Sequence, residues 1–414
     1  SHDLCVRRIA ATAVALALST QCVAACGGSK PRGNDITFVV SAPVSTSPWI
    51  AEFERNGAEL AAAQVNASGG ISFGGHAHHV RIEMRDNGGS PQQVVADARA
   101  AVAEHAAALI IDGVGAKAVA DVTDPAKLPV FVVFDGGASL IDPTVRPTLF
   151  RLAPADKSMA MRLADYLAAK HPKIGVIADD SGFGADGAAS LKPAFERDKI
   201  GVLSQSTVPA SATDVSTQVL AARHAGATTL VVWAGAPIVA AVIQAARSTG
   251  WSVPIWAGPS GEDPLVRQRL ATHVDWLAGV GFVSFRITAE VGPKPFAAYR
   301  AAYEKQYGAD KIGVKQDGKD VVQPPDWSMF PYDTVKLVAA ALTKSGAVGA
   351  PLLSTLEGKV VITGANGDER GYLTSTREGV SPDDMYFALF HGFVFRPVTD
   401  DLLSQHLPSV PQLG

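Results

Sequence analysis

Cysteine is nearly absent from this sequence. Its 414 residues hold three, Cys5, Cys22 and Cys26, and none follows. Everything beyond residue 26 is therefore without disulfide staples, thiolate zinc sites or cysteine nucleophiles. Charge is also sparse, at 18% of residues with a net of −4, so nucleic-acid binding finds no support. Aromatic residues make up only 7% of the chain, against 47% apolar residues and 39 glycines. A chain of this length can bury one large core or two medium ones.

The first 26 residues read as an export address. Arg7 and Arg8 give a positive start, Ile9–Leu18 is apolar, and Val23-Ala24-Ala25 precede Cys26. The apolar stretch falls short of the ~20 residues of a comfortable membrane span. Val-Ala-Ala-Cys resembles a bacterial lipobox, in which the cysteine is lipidated and becomes the first mature residue. Cys26 is the lipidation candidate; Gln21 makes Cys22 a poorer one. A plain signal peptide cut after Ala25 and a short membrane anchor are the competing readings. Gly27–Asn34, with its Gly, Ser and Pro, reads as a tether.

The folded part is organised around residues 36–71. Ile36–Val40 reads as a buried strand, and Ser41–Ser47 as a turn of small and hydroxyl residues. Ser47 is a candidate N-cap, with Pro48 at the first helical position. Phe53, Gly57, Leu60, Ala61 and Gln64 recur at helical spacing before Gly69-Gly70 stop the helix. A turn at the carboxyl end of such a strand is where open α/β sheets bind ligands, so a small molecule is expected against Ser41–Trp49. Strands 79–86, 108–112 and 130–134 follow, with Ser90 and Gln93 placed for a capping box between the first two. The alternation predicts a parallel sheet covered on both faces. Residues 148–158 read as a crossover. A second series has strands at 173–179, 200–208, 228–234, 253–258 and 276–285, with helices between. Two such series predict two doubly wound α/β domains with a cleft between them. The remainder reads as a helix at 295–307, a loop at 308–326, a helix at 328–344 and short strands to Phe395.

Several motifs carry rival chemistries. GFGADG (182–187) fits Gly-x-Gly-x-x-Gly between a strand and a helix, the pattern of a dinucleotide site. Asp179 and Asp180 precede it and would repel phosphate; the competing reading is a glycine-rich turn lining a cleft. His76, His78 and His79 form the only histidine cluster, either a metal site or a solvated turn; no carboxylate is placed nearby to help, and no metal is expected. GPSGED (258–263) only loosely resembles a nucleophile elbow around Ser260, and no Ser/His/Asp order supports it. No catalytic constellation emerges, so the chain is not expected to be an enzyme and no cofactor is expected. Lys117 opens a helix after ALIID, where free N–H groups and a cation together favour an anion; the bland alternative is a solvated lysine. Trp49, Phe183 and Trp327 can supply either an apolar pocket or ordinary packing.

Residues 35–395 resemble the branched-chain amino-acid (Leu/Ile/Val) binding proteins, type I periplasmic solute-binding components of ABC importers. The pieces that carry the resemblance are FERNGAELAAAQVNASGGI (53–71), RDNGGSPQQVV (85–95), FRLAPADKS (150–158), DDSGFGADG (179–187), AARSTGW (245–251) and WAGPSG (256–261). The resemblance implies two Rossmann-like lobes joined by a three-strand hinge. The implied segments are 35–152 and 282–375 for the first lobe, 153–281 and 376–400 for the second, and a tail at 401–414. It also implies a ligand site at Ser45, Thr46, Ser47, Trp49, Gly115, Ala116, Lys117, Asp135, Gly136, Gly137 and Ala138 of lobe one. Phe183, Gly235, Ala236 and Ser260 come from lobe two. Relatives that hold amino acids grip the carboxylate with a serine-rich turn, and here Gly115-Ala116-Lys117 stands in its place. Ser260 stands where an acidic residue meets the ammonium group, with Glu262 two residues on. The amino-acid clamp thus looks dismantled, and an apolar or anionic organic solute is expected. The implied partners are this solute and a membrane permease, with the chain a lipid-anchored monomer outside the cytoplasm. A ligand-sensing protein of the amide or urea type is the alternative.

Overall fold

The computed structural model describes residues 33–285 and 294–398. The leader with Cys26, most of the tether and the tail at 401–414 lie outside the described residues. The chain begins with β1 (Asp35–Ala42), α1 (Pro48–Ala67), β2 (Ile71–Phe73), β3 (His76–Asp86), α2 (Pro91–Ala103), β4 (Ala108–Ile111), α3 (Ala116–Ala126), β5 (Val130–Val132) and β6 (Leu149–Arg151). It continues through α4 (Asp156–Ala168), β7 (Lys173–Asp179), α5 (Gly182–Arg197), β8 (Gly201–Val208), α6 (Ser216–His224), β9 (Thr229–Trp233), α7 (Ala236–Ser248), β10 (Ile255–Ala257), α8 (Pro264–Arg269) and β11 (Val280–Phe285). The last part holds α9 (Lys294–Tyr307), β12 (Asp310–Gln316), β13 (Lys319–Gln323), α10 (Met329–Ser345), α11 (Ala350–Leu356), β14 (Val361–Thr363), β15 (Glu369–Gly371), β16 (Met385–His391) and β17 (Val394–Pro397).

Two sheets result, as the two strand series predict. The first has the order β2-β3-β1-β4-β5-β6 and the second β17-β16-β11-β10-β9-β7-β8. From β3 to β6 and from β11 to β8 every neighbour is parallel, and the antiparallel members are edge additions. Central strands such as Ala108–Ile111 and Thr229–Trp233 are buried throughout, because helices cover both faces. In each sheet the strand order reverses beside the first strand, between β1 and β4 and between β7 and β9. Crevices open at such reversals, outside the carboxyl ends of the strands.

The local signals around 36–71 hold with one change. Pro48 opens α1 behind Ser47, but the Ser47 side chain makes no capping bond. Ser90 does cap α2 through the Gln93 amide, whereas Gln93 turns to Asp97 instead of completing the box. Helix α1 meets α10 closely at Gly57, where a Cβ would lie 2.0 Å from the Ser328 carbonyl oxygen.

The stretch at 308–326 is not a loop. Its residues form the β12–β13 hairpin, whose Ile312, Val314 and Val321 join the apolar cluster of the second sheet. The flanking helices sit with the first lobe: Asn56 on α1 donates to the Tyr303 hydroxyl on α9 at 2.9 Å, and α10 lies along α1. Sequence patterning missed the hairpin because glycine, proline and aspartate dominate it. Strand β11 stays in the second sheet past residue 281. Of the C-terminal strands, β16 and β17 extend that sheet, while β14 and β15 pair only with each other. The segment around Glu378 runs back beside the crossing at 152–155 and bridges to Arg151, which takes Glu378 through two hydrogen bonds of 2.8 and 2.5 Å.

Candidate functional site

A cavity of about 1180 Å³ opens where the carboxyl ends of the two sheets face each other. Its walls follow from the topology. The turns after β1, β4 and β5 contribute from the first sheet, and those after β7, β9 and β10 from the second. Of the residues expected at the site, Thr46, Ser47, Trp49, Gly115, Ala116, Lys117, Asp135, Phe183, Gly235, Ala236 and Ser260 line it. Ser45, Gly136, Gly137 and Ala138 are not brought to the cavity wall. The Ser45 amide donates instead to Asp86, Gly136 and Gly137 are buried against Asp156 and Asp186, and Ala138 is exposed elsewhere.

The wall is strongly aromatic for a chain with so few aromatics. Trp49 stands edge-on to Phe53 at 5.3 Å and to Trp327 at 6.3 Å, while Phe134 stacks on Phe183 at 5.7 Å across the cavity. Phe53 and Phe134 had no signal of their own in the sequence, because each reads as ordinary core within an apolar run. Trp327 is fixed from the second lobe: its indole N–H donates to Glu262 Oε2 at 3.0 Å, and Gln323 donates to Oε1 at 3.1 Å. Glu262 is fully buried in this arrangement and faces Asp326, whose carboxyl is pushed well up by burial and by the Glu262 charge. Glu262, two residues past Ser260, is thus turned away from the cavity and committed to the floor, whereas Asp263 stays on the wall.

Carboxylates also line the cavity, and the wall itself supplies their donors. Asp179 accepts from the amides of Ser181 at 3.1 Å and Gly235 at 2.7 Å, Asp263 from Leu265 at 2.8 Å, and Asp135 from Gly137 at 2.8 Å. Several of these amides open helices, where free N–H groups favour negative charge. Burial still pushes Asp112 up to about 7, with the Asp135 charge adding to the rise, and pushes Asp263 up to about 6. Lys117 is exposed at the start of α3, beside the left-handed Gly115, and its charge opposes the rise that burial imposes on Asp135.

Two of the three glycines of GFGADG, Gly184 and Gly187, are explained by packing. A Cβ on Gly184 would meet the Asp179 carboxylate at 2.2 Å, and one on Gly187 would meet the Trp233 indole at 1.9 Å. Both let α5 close onto β7 and β9, and Asp179 occupies the place a phosphate would need. His76 and His78 lie in the β2–β3 hairpin rather than in a turn, with His78 stacked on Phe73 at 3.9 Å. Among the described residues, no group of three or more His, Cys, Asp or Glu could hold a metal ion.

Two α/β lobes with a cavity at facing switch points define a bilobal solute-binding fold. The Periplasmic binding protein family model matches residues 43–388, and the chain belongs to that family. Solved structures agree on the fold. A periplasmic binding protein type 1 from Bordetella pertussis Tohama I superposes with a TM-score of 0.76 at 19% identity, over 88% of this chain and 99% of that one. The branched-chain amino acid transporter substrate binding protein of Streptococcus pneumoniae, in complex with isoleucine, gives 0.74 at 18% identity, over 91% and 99%. A solute binding protein of an ABC transporter from Rhodopseudomonas palustris BisB5, in complex with 3,4-dihydroxybenzoic acid, gives 0.71 at 17% identity, over 88% and 96%. No curated protein matches the chain.

Proposed function

We propose that this chain is the extracytoplasmic solute-binding component of an ABC importer, anchored through Cys26 and closing its two lobes on a small planar organic solute. The observation that carries the reading is the cavity at the switch points of both sheets, walled by Trp49, Phe53, Phe134, Phe183 and Trp327. Aromatic walls reward flat apolar ligands, and a cavity built by two lobes makes the closed form the liganded one. In this reading the first lobe is 35–152 with 294–375, apart from the 310–323 hairpin, and the second is 153–285 with 376–400. Thr46, Ser47, Trp49, Gly115, Ala116, Lys117 and Asp135 meet the solute from the first, and Phe183, Gly235, Ala236 and Ser260 from the second.

Glu262 is withdrawn from the cavity, and the carboxylates that do line it, Asp179, Asp263 and Asp135, already accept from backbone amides, which leaves them less available to a solute ammonium. Lys117 and the N–H groups opening α3 suit a carboxylate on the solute. An aromatic acid fits both features, and the R. palustris relative is a protein solved with such a ligand. Shifting the lobes from 1:99 open to 99:1 closed takes about 5.5 kcal/mol of preference for the closed form, so contacts from both lobes are required. Native mass spectrometry of the purified chain, followed by a thermal-shift panel of aromatic acids, amides and amino acids, tests the reading. Stabilisation by an aromatic acid is expected; stabilisation by leucine, isoleucine or valine alone would overturn the ligand class.

A further inference from the structure

Where the lobes touch beside the crossing at 152–155, three carboxyls crowd around the turn Gly136-Gly137. The Asp156 amide donates to the Gly136 carbonyl at 2.8 Å, and its carboxyl lies so close that a Cβ on Gly136 would stand 2.3 Å from Oδ1. A Cβ on Gly137 would stand 2.3 Å from Asp186 Oδ2 and 3.2 Å from Asp135 Oδ1. Asp135 belongs to the first lobe, and Asp156 and Asp186 open or lie on α4 and α5, which pack with the second sheet. Ser139 of the first lobe donates to Asp186 at 3.0 Å across the gap.

Little positive charge answers them. Arg151 is the nearest cation, and it is already held by Glu378 and by the carbonyls of Asp135 and Gly137 at 3.0 and 2.9 Å. On the cavity side Lys117 lowers Asp135, and the Asp135 charge in turn raises Asp112. Asp156 is fully buried, and neither of its carboxyl oxygens has a hydrogen-bond partner. Burial first, then Asp135, holds the Asp156 carboxyl well above its ordinary range, and burial raises Asp135 too.

We propose that closing the lobes takes up one proton at the Asp135–Asp156–Asp186 cluster, so that acid favours the closed form and alkali the open one. The inference rests on the hinge-closing reading above. The proton comes from solvent and sits on one carboxyl. When the lobes part, Asp186 leaves Gly137 and Ser139, water reaches the cluster, and the Asp135 and Asp156 carboxyls regain ordinary acidity. The sign follows: the closed form binds more protons, so its share is full below the ordinary carboxyl range and falls as pH rises toward the raised closed-form values. Between those limits the closed-to-open ratio changes by up to about tenfold per pH unit.

Small-angle scattering on the free protein between about pH 5 and about pH 8 reads the lobe spacing directly inside that window. The wild type is expected to expand as pH rises, and Asp156→Asn, which mimics the protonated carboxyl, to stay compact throughout. Asp186→Asn, on a half-buried residue, gives the same test should the Asp156 variant fail to fold. A wild-type spacing indifferent to pH, or Asn variants that track the wild type, would overturn the inference. Solute binding in the thermal-shift panel with no pH response removes the proton step and leaves the binding reading standing. A pH response with no solute bound does the reverse.

Discussion

Asp112 shows how a single residue records its surroundings. It ends β4, lines the cavity, and is buried beside Asp135 and near Glu54, a fully buried carboxyl without a hydrogen-bond partner. Burial and the Asp135 charge lift it to about 7. A carboxyl raised on folding contributes stability below its unfolded value of about 3.9, and that contribution is lost as pH rises through the folded value. Replacing it by Asn removes the charged form. Asp112→Asn is therefore expected to raise the melting temperature more at about pH 8 than at about pH 5, as thermal scans at the two values would register. An equal shift at both would mean that Asp112 stays ionised in the fold. The sequence showed Asp112 only as the last letter of ALIID, because a strand-end aspartate looks the same whether solvated or buried.

At the scale of elements, glycine spacing sets how closely helices approach strands. Gly187 on α5 lies against the Trp233 indole on β9, with Gly258 packed on the same ring. Gly187→Ala is expected to cost about 1–3 kcal/mol by overpacking, measured by urea unfolding. No thermal shift with nucleotides is expected in either protein; one abolished by the substitution would revive the dinucleotide reading of GFGADG. The strand–helix rhythm of both sheets was legible because buried parallel strands are continuous apolar runs and their helices carry caps and stops. The turns after β1, β4, β7 and β9 were legible as site for the same reason. What escaped were features set by long-range packing: the β12–β13 hairpin, the rings of Phe53 and Phe134, and the burial of Glu262. The resemblance also named Gly136, Gly137 and Ala138, which the structure leaves off the cavity wall, since position along the chain does not say which face of a loop meets the cavity.

For the whole molecule, the decisive contacts are those that tie the crossings together. Arg151 joins β6 to the returning segment through Glu378, while the Gly379 amide donates to the Arg151 carbonyl at 2.8 Å. Removing one member of such a pair leaves the other charge without its partner, and Arg151 itself is 1% exposed. Arg151→Met is expected to destabilise the chain by about 1–3 kcal/mol, because the Asp135 and Gly137 carbonyls lose their donor while Glu378 keeps partial access to water, read from urea midpoints. A change below about 1 kcal/mol would place this pair among ordinary surface bridges.

The β12–β13 hairpin has a mechanical consequence. It is seated on the second lobe, and one of its feet is fastened to the first while the other is fastened to the second. Tyr303 on α9 donates to Asp310 at 2.9 Å at one foot, and Gln323 meets Glu262 beside Trp327 at the other. The chain therefore passes between the lobes twice more than a three-strand hinge requires. Extra straps stiffen a joint in torsion and shorten its travel. Trp327, bolted to the hairpin side through Glu262, would then move with the second lobe as the cavity opens, carrying part of the aromatic wall away from Trp49.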